Sequence, residues 1–362
     1  MSKTFDHFAK LLNHSPLPQD LDPSPHGLSV VLTGTTGTLG AHLLEELATN
    51  PEISSIFCLN RSLLAEQHWH DRCVQRNISG HPERAMVEFF TVNFGIEDFG
   101  LDYSTQSKFT KSCDLIIHAA WKVDFNQDLS SFADNIKSVL TLANWSISST
   151  TRPRIGFLSS ISSVGPWNPT YNSGQGIPEA PIEDWEAAPS IGYSESKQIS
   201  ERLLDRAATE SGIPVIILRV GQIGGSTTTT QAKWKQQELV PSMLKTSRSI
   251  GLIPADLPPV DWVPLNTISK IVTELAFYDV QSVSRTPSYY HVINPRPTPW
   301  RELIPEVEVQ CGPGVRVVPL SDWVKKLRTY DATEMKEVSS KPALKMLNFF
   351  SLVASRGPTT KY

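Results

Sequence analysis

The sequence has few cysteines, no long apolar run and no excess of basic charge, and each shortage excludes a class of protein. Its cysteines, Cys58, Cys73, Cys113 and Cys311, lack paired spacing, which is typical of reduced thiols in the cytoplasm. No apolar run approaches the ~20 residues of a transmembrane helix, and the first residues lack a signal-peptide core. A formal charge of −4 over 362 residues provides no basic surface for nucleic acid or anionic membrane. We therefore predict a cytoplasmic protein with no nucleic-acid and no membrane partner.

A short stretch with two histidines is the candidate for a metal site. His68, His70 and Cys73 lie in a polar stretch with a helical pattern, and no second pair of ligands follows at a suitable spacing. We therefore predict no metal.

The most informative stretch joins an apolar run at 28–33 to a helical pattern at 41–47. Between them the first glycine allows a tight turn, the second lets the backbone approach a diphosphate, and the third lets helix and strand pack closely. The free N–H groups and dipole of the helix then face the anion. With a strand before it and a helix after it, this pattern predicts a dinucleotide-binding loop. Its contacts with the cofactor are expected from Gly34, Thr35, Thr36, Gly37, Thr38, Leu39 and Gly40.

A residue just past the second predicted strand, at 53–59, indicates which dinucleotide binds. An NAD site usually places an acid about 20 residues beyond the glycines, on the ribose hydroxyls. Here Arg61 stands in that position, and a guanidinium can pair with a 2′-phosphate in a fork geometry. We therefore predict NADPH as the cofactor, with Arg61 on its 2′-phosphate and Arg72 as the other candidate cation. The structural alternative is a solvated arginine at a strand end.

Alternating strand and helix patterns predict an α/β fold, with a Rossmann-type doubly wound parallel sheet and a smaller, mostly helical C-terminal substrate lobe. Further strands are predicted at 89–94, 115–120, 154–160 and 215–220. Residues 1–26 are predicted to form an N-terminal linker with a short helix, and the folded unit is expected to start near Gly27. The predicted NADP-binding domain is 27–225 and the substrate-binding lobe is 226–362, with 260–295 partly returning to the Rossmann sheet.

Residues near three strand ends are predicted to lie beside the cofactor. Asn93 is next to last in the third predicted strand, and Ala119 and Ala120 are small enough to let the cofactor lie close to the fourth. Gln222 begins a run rich in glycine, serine and threonine that extends to Thr230. This run is expected to form a mobile loop over the nicotinamide and the substrate, with Gln222 in contact with the cofactor.

A serine, a tyrosine and a lysine form the candidate catalytic group. Ser160 ends the fifth predicted strand, and Tyr193 and Lys197 stand four residues apart on one face of a predicted helix. An ammonium near a phenol stabilises the phenolate and lowers its pKa, and Ser160 can donate a second hydrogen bond to the same substrate oxygen. The three residues therefore predict a site that binds a carbonyl oxygen and delivers a proton as hydride arrives. The alternative for Tyr193 is an ordinary surface-helix tyrosine.

Beyond these residues, longer motifs resemble the thioester reductase domain of the extended short-chain dehydrogenase/reductases. Such domains end fungal non-ribosomal-peptide-synthetase-like enzymes and adenylate-forming carboxylic acid reductases. The resemblance covers residues 27 to about 355. The motifs that carry it are GTTGTLG at 34–40, SS at 159–160, Tyr193 with Lys197, CLNR at 58–61, HAAWKVDFN at 118–126, RVGQIG at 219–224, VDWVP at 260–264, YHVINP at 290–295 and KPALKML at 341–347.

The resemblance implies a reaction that releases an acyl chain from the phosphopantetheine arm of a carrier protein. Ser160 and Tyr193 would bind the thioester carbonyl, while Lys197 would hold the nicotinamide ribose and tune Tyr193. Hydride from NADPH would give a hemithioacetal that collapses to an aldehyde and a thiol, and a second hydride could give the alcohol. The expected partners are therefore an acyl-phosphopantetheinyl carrier protein or domain and its small acyl group.

The sequence departs from this family's usual pattern in three respects. Ser160 stands where a threonine is usual, and Asn93 and Phe94 stand where Asp-Leu is usual near the end of the third strand. The adenylation and carrier domains that normally precede such a reductase are absent from the sequence. We therefore expect a free-standing reductase or a piece of a larger enzyme.

Two other functions remain open at this stage. An extended short-chain reductase acting on a free aldehyde, a ketone or another small molecule would need polar anchors in its substrate lobe. Trp234, Trp262 and Pro264 instead suggest apolar contacts with an acyl chain. A catalytically silent NADP-binding module would have no reason to keep both Tyr193 and Lys197.

Overall fold

The structure is a computed structural model that describes residues 1–14, 27–76, 85–165, 176–227, 234, 239–278 and 286–356. The chain divides into two compact units. The first is Met1–Gly221 with Leu265–Val292, and the second is Gln222–Pro264 with Ile293–Tyr362. Each unit is therefore assembled from two separate stretches of the chain.

The strands and helices of the described residues are numbered in chain order. The strands are β1 (Leu28–Thr33), β2 (Ile53–Asn60), β3 (Met86–Thr91), β4 (Leu115–His118), β5 (Arg154–Ser160), β6 (Val215–Val220), β7 (Ile223–Gly224), β8 (Leu252–Pro254), β9 (Val263–Pro264), β10 (Ser288–Val292) and β11 (Arg316–Val318). The helices are α1 (Ser2–Ala9), α2 (Thr38–Ala48), α3 (Ala65–Arg76), α4 (Tyr103–Ser112), α5 (Ala133–Ser148), α6 (Gly192–Ser211), α7 (Leu239–Ile250), α8 (Leu265–Phe277), α9 (Trp300–Cys311), α10 (Leu320–Leu327), α11 (Met335–Ser340) and α12 (Leu347–Arg356). Within the described ranges, no helix is both long enough and apolar enough to span a membrane.

The first unit is built around a seven-stranded sheet in the order β10-β6-β5-β4-β1-β2-β3. Every neighbouring pair of strands is parallel. The chain runs from β1 outward to β3 and then continues with β4 on the other side of β1, so the order reverses between β1 and β4. Ligands of open α/β sheets bind at such a point, beside the carboxyl ends of the strands. The predicted doubly wound α/β fold is confirmed.

The central strands form where the sequence has short, almost uninterrupted apolar runs. Val30, Val31 and Leu32 in β1 are fully buried, and all six residues of β6 are buried. A parallel sheet covered by helices on both faces buries both sides of each strand, so its strands need apolar residues at successive positions. The same buried core takes in Phe157 of β5 and apolar side chains of α5 and α6.

The third strand lies three residues earlier than the sequence suggested. The predicted strand was 89–94, whereas β3 is Met86–Thr91 and lies at the edge of the sheet. Residues 87–90 are only half-buried, so no continuous buried run marks the strand in the sequence. After β3 the chain turns, and the N–H of Asn93 donates to the carbonyl of Phe99 at 3.1 Å.

The N-terminal helix α1 is part of the first unit, which therefore includes residues ahead of its expected start at Gly27. Phe8 and Leu12 are buried in the same core as α5 and α6. The N–H of Asn13 donates to Asn144 Oδ1 at 2.8 Å, and Asn144 Nδ2 donates to the carbonyl of Leu11 at 3.1 Å. The predicted proline-rich linker at 16–25 lies outside the described residues.

The second unit is mostly helical and has its own apolar core. Trp323 of α10 and Phe350 of α12 are buried with ring centroids 4.9 Å apart, and Met243 and Trp300 join the same cluster. The indole N–H of Trp323 donates to Ser247 Oγ at 3.0 Å, which satisfies its buried polar atom. Two short parallel pairs, β8 with β11 and β7 with β9, complete the unit.

Candidate active site

The loop between β1 and α2 is packed so closely that only glycine fits at two positions. Gly34 has φ +77°, in the left-handed region, and a Cβ there would lie 2.8 Å from the backbone of Ala120. A Cβ on Gly40 would lie 2.1 Å from the carbonyl oxygen of Gly34. The loop, α2 and the end of β4 are therefore in direct backbone contact, as the sequence predicted for Gly34 and Gly40.

The N-terminus of α2 is open toward a ligand. Gly37 is the residue before the first turn, and no side chain caps the N–H groups of that turn. Gly37 is exposed, and the nearest atom to a Cβ there would be the Gly34 oxygen at 3.2 Å. Uncapped N–H groups and the helix dipole favour a phosphate group at this position. The loop therefore fits a dinucleotide diphosphate.

A chain of hydrogen bonds holds the end of β4 against the glycine loop. The N–H groups of Ala119 and Ala120 donate to Thr33 Oγ1 at 3.1 and 3.0 Å. Thr33 Oγ1 lies 2.8 Å from His118 Nδ1, and His118 Nε2 lies 3.0 Å from Ser138 Oγ. Because the Ser138 hydroxyl donates to a backbone carbonyl, His118 Nε2–H donates to Ser138, and His118 Nδ1 accepts from Thr33.

His118 is therefore neutral in this structure. It is fully buried, and burial together with the charge of Lys197 lowers its pKa to about 3. A proton on Nδ1 would also leave Thr33 without an acceptor for its hydroxyl hydrogen. Neither Thr33 nor His118 was predicted as a site residue, although both are polar residues that end apolar strands.

Asn60 and Arg61 follow one another at the carboxyl end of β2. Asn60 Nδ2 donates to Thr35 Oγ1 at 2.8 Å, while its buried Oδ1 accepts no hydrogen bond from the described residues. Arg61 is exposed beside it. Arg72, the other candidate cation, pairs with Glu45 at 2.8 Å. The unpaired Asn60 Oδ1 and the exposed Arg61 guanidinium therefore fit a ligand that supplies a hydrogen-bond donor to the first and an anionic group to the second.

Two further predicted cofactor residues make hydrogen bonds within their own segments of the chain. Asn93 is exposed beyond the end of β3, and its Oδ1 accepts from the N–H of Gly95 at 3.0 Å. Gln222 is the first residue of the second unit, and its carbonyl accepts from the N–H of Val263 at 3.1 Å. Their contacts with a cofactor remain predictions. Residues 228–230 of the predicted mobile loop lie outside the described residues.

The Ser160 hydroxyl lies near enough to Tyr193 to act on its phenol. Ser160 ends β5, and its Oγ accepts from the N–H and the hydroxyl of Ser162 at 3.2 and 2.9 Å. Tyr193 stands in the first turn of α6, with its ring 5.0 Å from that of Phe125 and 6.3 Å from that of Phe132. Burial raises the pKa of Tyr193, and the nearby Ser160 hydroxyl opposes that rise.

Lys197 lies one helical turn beyond Tyr193 and among aromatic rings. Its Nζ donates to the carbonyl of Leu158 at 2.6 Å and lies 3.8 Å from the ring centroid of Trp121. The same Nζ is 4.6 Å from the ring centroid of Phe157 and 6.0 Å from that of Tyr193. Burial lowers the pKa of Lys197 well below its usual value.

The expected effect of Lys197 on Tyr193 is not found. The sequence suggested that the ammonium lowers the pKa of the phenol, whereas burial dominates and raises the pKa of Tyr193. The reason is geometric. Lys197 Nζ donates to the carbonyl of Leu158, and the same Nζ lies 6.0 Å from the centroid of the Tyr193 ring. Trp121 directly follows the Ala119–Ala120 pair, so one short segment contacts both the glycine loop and Lys197.

Comparison with known proteins places this geometry in context. A family model described as male sterility protein matches residues 32–272. A carboxylic acid reductase of Neurospora crassa is 30% identical over 342 residues, which cover 92% of this chain and 32% of that protein. The adenylate-forming reductase Nps9 of Serpula lacrymans var. lacrymans is 30% identical over 345 residues, covering 90% of this chain and 30% of that protein. The chain thus spans about a third of the length of these relatives.

A solved structure has a similar fold over nearly the whole chain. The terminal R domain from the myxalamid PKS-NRPS biosynthetic pathway matches with a TM-score of 0.74 and 26% sequence identity. The match covers 97% of this chain and 86% of that chain. It includes both units, so the similarity extends beyond the sheet.

Proposed function

The chain belongs to the male sterility protein family, with reductases among its relatives, and from that premise we propose that it is an NADPH-dependent thioester reductase. Its substrate would be an acyl chain on the phosphopantetheine arm of a carrier protein, and its product the aldehyde. The observation that carries this proposal is the placement of Tyr193 and Lys197 one helical turn apart on α6, with Lys197 Nζ held at the carbonyl of Leu158, two residues before Ser160. These residues lie in the same unit as the glycine loop.

Ser160 and Tyr193 would act together on the carbonyl oxygen of the thioester. The raised pKa keeps Tyr193 protonated at neutral pH, so its hydroxyl can donate to that oxygen. Ser160 Oγ accepts from Ser162, so its own hydrogen can turn from Tyr193 to the same oxygen when a substrate binds. Two donors aimed at one oxygen stabilise the negative charge that develops there.

The reaction would then proceed through a hemithioacetal. Bound NADPH would supply the hydride that adds to the carbonyl carbon. Tyr193 would give its proton to the oxygen as the C=O double bond is reduced. Breaking the C–S bond would then return that proton to Tyr193 and release an aldehyde and the pantetheine thiolate.

The cofactor would be held by residues of the first unit. The uncapped start of α2 would bind the diphosphate, and the unpaired Asn60 Oδ1 and exposed Arg61 would bind the adenosine end. Lys197 would bind the nicotinamide ribose. The choice of NADPH over NADH rests on Arg61, and a cytoplasmic location rests on four free cysteines, all buried.

The direct test supplies NADPH and a panel of acyl-pantetheine thioesters. We expect loss of the reduced-nicotinamide absorbance, release of a free thiol, and an aldehyde that can be trapped. Turnover of free aldehydes or ketones without any thioester turnover would instead favour a short-chain reductase of small molecules. Tight NADPH binding without turnover of either class, also when the acyl group is presented on an intact carrier protein, would contradict both.

Tyr193→Phe is the matching variant. We expect it to lower turnover by about 10²–10⁴-fold, because the ring remains packed while the proton donor is lost. NADPH affinity should stay close to that of the unchanged protein, as measured by quenching of protein fluorescence. Near-normal turnover would remove Tyr193 from the mechanism.

A further inference from the structure

A buried ion pair lies directly behind the candidate catalytic residues. Arg219 of β6 donates to Glu201 Oε2 of α6 from Nη2 at 2.9 Å and from Nε at 3.1 Å. The side chains are only 0% and 4% exposed, respectively. An ion pair so deeply buried is seldom more stabilising than apolar residues of the same size, so its presence calls for another reason.

The second carboxylate oxygen of Glu201 holds the two serines that flank Ser160. Ser163 Oγ donates to Glu201 Oε1 at 2.5 Å, and Ser159 Oγ donates to the same oxygen. Ser163 Oγ also lies 2.8 Å from the carbonyl oxygen of Ser160. The backbone that carries Ser160 is therefore fixed from both sides by one carboxylate.

Arg219 extends this network to two further segments. Its Nη1 donates to the carbonyl of Pro178 at 3.2 Å, and its Nη2 donates to the carbonyl of Ala180 at 3.0 Å. The guanidinium also lies 4.7 Å from the ring centroid of Tyr289 in β10. Because these contacts hold the guanidinium in place, they also fix the orientation of the Glu201 carboxylate.

Glu201 shares a helix face with the two other candidate residues. Tyr193, Lys197 and Glu201 follow one another at four-residue steps along α6, so they lie in one row. Because Tyr193 and Glu201 share this helix, the hydrogen bonds of Glu201 fix the position of the Ser160 backbone relative to Tyr193. A shift of about 1 Å in such a position can cost on the order of 10²-fold in rate.

We propose that Glu201, oriented by Arg219, is a positioning residue that aims the Ser160 hydroxyl at Tyr193 and the substrate carbonyl. It acts through Ser159 and Ser163 and touches neither substrate nor cofactor. The inference rests on the proposed function only in assuming that Ser160 and Tyr193 take part in the reaction.

Two double variants separate positioning from simple stability. Glu201→Leu with Arg219→Met removes both charges of the pair, so that neither partner is left buried alone, and leaves Ser159 and Ser163 without their acceptor. Glu201→Gln with Arg219→Met also removes both charges but keeps an amide oxygen as an acceptor. We expect the first pair to lower kcat about 10–100-fold, with KM and NADPH affinity within about twofold. The second pair should keep kcat within about fivefold.

Single serine variants keep the test decisive where a double variant does not fold. Ser163→Ala and Ser159→Ala each remove one donor to Glu201 and introduce no charge. Each is expected to lower kcat about 5–20-fold, because the backbone that carries Ser160 is then held from one side only, while the melting temperature falls by only about 2–4 °C. Glu88→Gln is the control. It breaks the ion pair between Glu88 and Lys108 at the edge strand β3, and it should leave kcat unchanged.

The outcomes that overturn the inference are distinct from those that overturn the function. Wild-type kcat in both serine variants, or a loss of kcat that parallels a loss of melting temperature and NADPH binding, means that the network is only structural. If the unchanged protein reduces free aldehydes but no thioester, the substrate proposal is wrong, and the same variants are compared on the aldehyde. If it reduces neither, both proposals are overturned.

Discussion

At the scale of single residues, His118 shows how a buried neutral side chain organises the cofactor side of the site. Its two ring nitrogens join Thr33 to Ser138, and Thr33 in turn holds the backbone of Ala119 and Ala120. Thr33, His118 and Ser138 each donate one hydrogen bond and accept at least one, and protonation of His118 would break the chain at Thr33. The arrangement therefore depends on the charge state of one imidazole.

His118 should make the protein sensitive to mild acid. The pKa of His118 is about 3 in the folded protein and about 6.5 in an unfolded chain, so below about pH 6.5 the unfolded state binds the extra proton. The free energy of unfolding should therefore fall by about 2 kcal/mol between pH 7.5 and pH 5, and continue to fall toward pH 3. His118→Gln should lose less melting temperature over this range in thermal unfolding. An equal loss in both proteins would show that His118 is not responsible.

Arg61 should determine the choice between NADPH and NADH. Arg61→Glu is expected to weaken NADPH binding about 10–100-fold, the effect of losing a charge-assisted hydrogen bond, while NADH affinity is kept or improved. Arg72→Gln is the matched control, because Arg72 pairs with Glu45 within the protein. Titration of both cofactors into both variants measures this. A preference that survives Arg61→Glu and disappears in Arg72→Gln would assign the 2′-phosphate to Arg72.

At the scale of elements, we expect two glycines of the loop between β1 and α2 to have different roles, with Gly40 required for packing and Gly37 for cofactor binding. Gly40→Ala puts a Cβ 2.1 Å from the Gly34 oxygen, so α2 must move. This movement should lower the free energy of unfolding by about 1–3 kcal/mol, which exceeds the ~0.5–1 kcal/mol that alanine gains over glycine in a helix. Gly37→Ala has an ordinary φ of −77° and a 3.2 Å neighbour, so it should fold normally but bind NADPH more weakly. Melting temperature and NADPH affinity, measured on both variants, test this. The opposite pattern would exclude the diphosphate from the loop.

The sequence indicated those elements that are buried on both faces. β1 and β6 match their predicted bounds, because an almost uninterrupted apolar run of strand length admits few other structures. The edge strand β3 was displaced by three residues, because its half-buried positions carry no such run.

The candidate site was predictable only where a local pattern exists. Glycine spacing and the Tyr193–Lys197 interval are local, whereas the Glu201–Arg219 pair joins residues 18 positions apart on different elements. Neither Thr33 with His118 nor Asn60 with Thr35 has a local signature, since sheet order decides which strand ends meet. The raised pKa of Tyr193 also could not be predicted from the sequence, because it depends on how deeply the folded protein buries the phenol.

At the scale of the whole molecule, α1 should contribute to stability although it precedes the sheet. A chain that starts at Gly27 loses the burial of Phe8 and Leu12, worth about 1.5–3 kcal/mol for each side chain. We expect its free energy of unfolding to fall by about 3–5 kcal/mol in urea, and Phe8→Ala to account for about half of that loss. Lys10→Ala, at an exposed position of the same segment, is the control. An unchanged unfolding midpoint would show that the folded unit starts near Gly27.

The return of Leu265–Val292 to the first unit has a consequence for synthesis of the chain on the ribosome. β6 is complete at Val220, but its outer partner β10 is complete only at Val292. At ~5–20 residues per second, translation from 221 to 292 takes roughly 4 to 14 s. During that interval the outer backbone edge of β6 is a template on which another nascent chain can pair. Faster translation of this stretch, or a chaperone that covers the edge, should therefore raise the yield of folded protein.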